Sequence, residues 1–200
     1  MKQTHFWNNA LTAGAIIGLL MAVSHIFERY AFSVGASLPL MIVASVEMLI
    51  TSIVFVALLY LATRRYAKEV MASQENIKYF TFRQGFLYTI IVTALVGIII
   101  GLADYIYISK IIGYDAYING YLKTMRALLN IAPNPNTSAM FGTISKQLAS
   151  APEPGLFSVI FGYIQIYMLF IGTPIGIVIG LLTKRNPVLF DNSQNGEHNE

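Results

Sequence analysis

The sequence predicts an all-α fold, a polytopic membrane protein with four transmembrane helices. Three observations carry this. Hydrophobic residues make up 56% of the 200 positions, and mean hydropathy is +0.60. Charged residues are only 12%, about half the usual quarter of a soluble domain, too few to cover a soluble surface. Four apolar runs reach the ~20 residues that cross a ~30 Å hydrocarbon core. The chain has no Cys, which excludes disulfides, thiolate metal sites and thiol catalysis.

The first span is expected over residues 10–30. Lys2 and the small residues Ala22-Val23-Ser24 give it some likeness to a signal peptide. The polar stretch before Ala10 and the charged exit through Glu28 and Arg29 argue against cleavage. The second span, over 37–61, carries one charge, Glu47. The third covers 85–108, opened by a capping box in which Thr81 caps the helix and Gln84 reaches back. The fourth covers 155–182; Pro174 lacks a backbone donor and is expected to kink it. Together these form one domain, 1–185, followed by a short polar tail, 186–200, expected to be disordered.

Two connecting segments are long. The charged stretch 63–84 is expected as a solvated connector, with a platform for anionic lipid as the functional alternative. The loop 109–154 is expected to hold two interfacial helices. Asp115 would cap the first, whose stripe is Tyr117, Ile118, Tyr121, Leu122, Met125, Leu128 and Leu129, and Pro133-Asn134-Pro135 would end it. The second would follow Ser138, with Met140, Phe141, Ile144 and Leu148 on one face. They would lie on the bundle mouth, or cap a cavity there.

Four spans put both termini on one side. Eight Lys and Arg residues (Lys2, Arg64, Arg65, Lys68, Lys78, Arg83, Lys184, Arg185) fall on that side and five (Arg29, Lys110, Lys123, Arg126, Lys146) on the other. The positive-inside bias predicts cytoplasmic termini. Phe6, Trp7, Tyr30, Phe32, Tyr105, Tyr107, Phe157 and Phe161 are expected at the interfaces.

Small residues recur at four-residue spacing: Gly14 and Gly18, Gly97 and Gly101, and Gly172, Gly176 and Gly180. Such spacing lets helix backbones approach within a chain or between copies. Ionisable groups inside a bilayer are costly and are candidate sites. Glu47 lies ~15 Å deep by residue count, with Ala44 and Thr51 on its face and Gln165 at similar depth in the fourth span. Cβ directions would let His25 and Glu47 converge. With Glu28, Arg29, Asp104 and Tyr163 these residues put nearly all polar groups in the outer half, as a vestibule open outward and shut inward. The structural alternative is a Glu47 carboxyl bonded to Gln165 or Thr51, holding the bundle together.

His25 and Glu28 at i, i+3, with Glu47 and Asp104, give a weak metal signal; bundle di-metal sites need a second such pair and more carboxylates. No phosphate-binding loop, dinucleotide fingerprint, zinc-protease motif or nucleophile elbow is present. No nucleic-acid module, catalytic residue or cofactor is expected, and internal inverted repeats are not evident.

Three stretches resemble a family of small four-span membrane proteins of unknown function, frequent in Bacteroidota. They are Phe6-Trp7-Asn8-Asn9-Ala10-Leu11, Thr81-Phe82-Arg83-Gln84-Gly85-Phe86 leading to Tyr105-Ile106-Tyr107, and the Gly-rich fourth span ending in Lys184-Arg185. The resemblance spans about 5 to 185 and implies the fold and a bacterial inner-membrane location, but no activity. The expectation is therefore a non-enzymatic scaffold or accessory subunit in the lipid bilayer, working as a homo-oligomer or with another membrane protein. A proton-coupled carrier using Glu47, with His25 and Gln165, is the alternative. A metalloenzyme of the outer vestibule is a third reading.

Overall fold

The computed structural model describes residues 3–33, 37–74, 79–131 and 135–186. Val34-Gly35, Pro133-Asn134 and the tail expected beyond Asn186 lie outside the described residues. Six helices follow in chain order: α1 (Gln3–Ser33), α2 (Leu38–Ala72), α3 (Phe82–Ile112), α4 (Tyr114–Ile131), α5 (Pro135–Ser150) and α6 (Leu156–Thr183). Four of them, α1, α2, α3 and α6, are long and apolar enough to cross a membrane, and the protein is a multi-pass membrane protein. We call the end holding Gln3, Ala72, Phe82 and Thr183 the base. The end holding Ser33, Leu38, Ile112 and Leu156 is the crown.

The helix α3 is the axis. Its stripe Gly85, Tyr88, Thr89, Val92, Thr93, Val96, Gly97, Ile100, Gly101 and Asp104 is buried, between α1 on one side and α6 on the other. All seven stripe glycines of the sequence meet helices of the same chain. A Cβ on Gly14 or Gly18 would strike Leu95 or Ile99 of α3 at 2.7 Å. On α3, Gly97 faces the Tyr163 carbonyl at 2.8 Å and Gly101 the Ile160 Cα at 2.9 Å, both α6 backbone. On α6, Gly172, Gly176 and Gly180 abut Thr93, Phe86 and Phe82 of α3. With little hydrophobic drive between helices in lipid, this close approach supplies the dispersion contacts.

The second helix does not end where its charges begin. Residues 63–72, read as connector from the sequence, continue α2. Thr63, Tyr66, Ala67 and Val70 are buried, prolonging the stripe of Phe55 and Leu59 at helical spacing. The charges Arg64, Arg65, Lys68 and Glu69 lie on the exposed side. The base core is aromatic. Tyr66 and Tyr88 stack with centroids 4.5 Å apart, and Phe6 and Phe80 meet Tyr66 edge-on. Phe6, expected as an interfacial anchor, is thus part of the core; Tyr107, expected likewise, is buried. Phe80 and Arg185 exchange two backbone hydrogen bonds, 3.1 and 2.8 Å, which tie α3 to α6. The Thr81–Gln84 capping box is present in full.

Two spans widen into π-helix, at Ile106–Ile112 in α3 and Ile166–Gly172 in α6. In α6 the local cause is Pro174, which offers no N–H. Thr173 sends its backbone N–H and its hydroxyl to the Met168 carbonyl, five residues back. The kink expected at Pro174 takes this form.

The connecting helices start earlier than expected. Gly113, at φ +90°, turns the chain into α4 and its carbonyl accepts from Tyr117 N–H at 3.0 Å. Asp115 therefore sits in the first turn rather than at the cap, where it still complements the helix dipole. Pro135 opens α5 instead of ending α4, because a proline at the first helical position sacrifices no bond. Tyr117, Ile118 and Leu122 bury against Ile108, Ile112, Phe141 and Leu148, so α4 packs onto α3 as well as α5.

Candidate functional site

Near the crown, six polar side chains from four helices meet. His25, Glu28 and Arg29 stand on successive positions of one face of α1, at i, i+3 and i+4. Asp104 comes from α3, Tyr163 from α6, and Tyr117 reaches in from α4. By residue count His25, Asp104 and Tyr163 each lie ~10–12 Å inside their helix ends. The Asp104 side chain is only 7% exposed.

Arg29 is the hub. Its Nε donates to Asp104 Oδ1 at 3.0 Å, its Nη1 to Tyr117 Oη at 2.7 Å and its Nη2 to Tyr163 Oη at 2.9 Å. The Tyr163 hydroxyl donates its one proton to Asp104 Oδ2 at 2.8 Å. His25 Nε2 lies 2.6 Å from the same hydroxyl and 3.2 Å from Arg29 Nε, which donates toward it. His25 Nε2 also lies 3.3 Å from Asp104 Oδ1, and Nδ1 lies 3.5 Å from Glu28 Oε2. The Arg29 guanidinium also faces the Tyr117 ring, 5.8 Å from its centroid. Burial pushes the Tyr117 phenol above its ordinary value, against the pull of Arg29, so it serves Arg29 as a neutral acceptor.

Every arm of Arg29, both oxygens of Asp104 and the Tyr163 hydroxyl are occupied within this cluster. It joins α1, α3, α4 and α6. Of the residues singled out in the sequence, the structure brings together His25, Glu28, Arg29, Asp104 and Tyr163. It leaves Glu47 and Gln165 out. Gln165 is exposed. Glu47 is half-buried on α2, where Oε1 accepts from Thr51 Oγ1 at 2.6 Å within its own helix. Its Oε2 is buried with no hydrogen-bond partner. Convergence of Glu47 with His25 fails because the α1 polar face turns toward α3 and α6, not toward α2.

The sequence also placed an open vestibule at this end. The structure fills it with the Arg29 side chain and covers it with α4. Gly120 of α4 lies against the Ser33 carbonyl of α1, too close for a Cβ. Among the described residues no three His, Asp or Glu side chains are placed to hold a metal ion. Two grooves open at the base instead, of about 470 and 880 Å³, both touching His5 and Glu69. There Asn9 Nδ2 donates to Glu69 Oε2 at 2.7 Å, and Tyr88 Oη donates to Asn9 Oδ1 at 2.5 Å. Asn9, Glu69, Tyr88 and Tyr117 were not among the candidate site residues of the sequence, where Tyr117 stood only in the apolar stripe of the loop helix. The one available signal was the i, i+4 pair Arg65–Glu69.

No curated protein and no solved structure matches the chain. The family described as a protein of unknown function, DUF4199, matches residues 12–185. That range holds all four spans from Thr12 onward, the glycine stripes and the Arg29 cluster, and the chain belongs to this family.

Proposed function

We propose that the protein is a non-enzymatic scaffold or accessory subunit of a bacterial inner membrane, with both termini cytoplasmic. One observation carries this reading: Arg29, Asp104 and Tyr163, the centre of the densest set of ionisable groups, are bonded to one another across the helices. A catalytic base or transport site needs a polar atom free to change partners. Here Arg29, Asp104 and Tyr163 hold helices together instead. The partner we propose is another membrane protein, or a second copy of the chain. Gentle extraction followed by native mass spectrometry tests this. A stoichiometric protein partner or a homo-oligomer is expected. A lone monomer, whether bare or carrying a small molecule, with no protein partner overturns it, and retained lipid bears on neither outcome.

The unpartnered Oε2 of Glu47 favours a second reading, a proton-coupled carrier. Proteoliposome flux abolished in Glu47→Gln, with the fold intact, supports that reading. Unchanged growth, assembly and folding in the same variant refutes it.

A further inference from the structure

The base groove between α1 and α2 has a graded lining. On α1 the order is His5, Asn8, Asn9, Thr12, then Ala13, Ile16 and Ile17; on α2 it is Glu69, Arg65, then Ala62, Leu61 and Leu58. The helices run antiparallel, so both series change from polar to apolar in the same direction. Polar groups lie at the helix ends and apolar groups deeper in the spans. From His5 to Ile17 the trough is ~18 Å long at 1.5 Å per residue. Its volume is about 470 Å³.

A trough polar at its mouth and apolar toward the bilayer interior suits an amphiphile. Its mouth carries both signs. Arg65 has an 80% exposed side chain and uses Nε on Glu69 Oε1 at 3.2 Å. That leaves the outer fork of its guanidinium directed to solvent. Glu69 is held by Asn9 and Arg65 and fixed at the mouth. A singly anionic headgroup would meet Glu69 as a like charge, and a cationic one would meet Arg65. A head with a phosphate and a primary ammonium matches both, and an ammonium donates hydrogen bonds that a quaternary amine cannot. We propose that this groove binds a phospholipid with a phosphoethanolamine headgroup. The phosphate lies on Arg65, the ammonium on Glu69, and one acyl chain along Ile16, Leu58 and Leu61.

The test is native mass spectrometry of the detergent-purified protein with equal amounts of phosphatidylethanolamine, phosphatidylcholine and phosphatidylglycerol of one acyl composition. Preferential retention of phosphatidylethanolamine is expected. Glu69→Gln should lower that preference about threefold to fivefold, the scale of one exposed ion pair. Ala62→Phe, which fills the trough without touching the mouth, should lower retention of all three lipids. Thermal unfolding of each variant confirms that the bundle is intact. Equal retention of the three lipids, preference for phosphatidylglycerol, a preference unchanged in Glu69→Gln, or retention unchanged in Ala62→Phe overturns the proposal. So does full competition by free glycerophosphoethanolamine, which would mean a water-soluble ligand.

Discussion

Replacing Gly97 by Ala adds one methyl group where α3 and α6 cross backbone to backbone. That methyl would meet three backbone atoms of α6: Tyr163 O at 2.8 Å, and Ile164 Cα and N at 3.1 Å. Ordinary contact begins at 3.4 Å, so the helices must separate by about 0.6 Å, and no side chain can rotate away to spare them. Overpacking of this kind costs about 1–3 kcal/mol. The better helix propensity of Ala returns up to about 1 kcal/mol. With the middle of the packing range and the full propensity gain, the net expectation is a loss of about 1 kcal/mol. Gly162→Ala is the matched control. It lies in α6 beside Tyr163, and its Cβ would meet nothing within 4 Å, so it should gain about 0.5–1 kcal/mol. The assay is unfolding by added SDS in dodecylmaltoside micelles, followed by circular dichroism. A second readout follows from the position of Tyr163. Moving α6 outward stretches its 2.8 Å bond to Asp104, so amide exchange in α4 should accelerate in Gly97→Ala and not in Gly162→Ala. Wild-type stability in Gly97→Ala, or an equal loss in Gly162→Ala, refutes the packing argument.

Asp104→Asn leaves Arg29 without its carboxylate and should destabilise by about 3–5 kcal/mol, whereas the double variant Arg29→Met, Asp104→Leu should lose less than its two single changes combined; detergent unfolding of the four variants checks this. Tyr117→Phe removes the acceptor at 2.7 Å from Arg29 Nη1, and hydrogen exchange should show α4 opening at least tenfold faster, with α1 and α3 unchanged, since a bond to a charged group is worth about 1.5–3 kcal/mol. Thr81→Ala deletes one half of the capping box and should cost about 1 kcal/mol, while Thr81→Ser should restore most of it in the same unfolding assay.

The four spans were legible because lipid imposes length and composition on a helix whatever it packs against. The capping box was legible because it is local, three residues apart. The continuation of α2 through its charges was missed because attention fell on Arg64, Arg65 and Lys68 rather than on the buried positions between them, Thr63, Tyr66, Ala67 and Val70. At the crown, residue count gave depth for His25, Arg29 and Asp104. Azimuth decided which of them meet, and azimuth depends on packing. Glu47 and Gln165 share the estimated depth but not the direction. The contribution of Tyr117 was not accessible at all, since it rests on how a loop helix docks after the positive-φ turn at Gly113.

The cluster at the crown ties α1, α3, α4 and α6 and omits α2. Most of the buried side chains of α2 lie in its base half, Phe55, Leu59, Thr63, Tyr66, Ala67 and Val70, with only Met41 and Ala44 buried nearer the crown. Around those two, Ile42, Val43, Val46, Leu49, Ile50 and Ile53 are exposed. At 35 residues α2 is ~50 Å long, well beyond a ~30 Å hydrocarbon core. Mechanical compliance is therefore unevenly distributed. When bilayer thickness changes, three spans respond as a cross-braced unit, while α2 absorbs the mismatch by tilting about its base anchorage. The bundle converts membrane thickness into the angle of one helix.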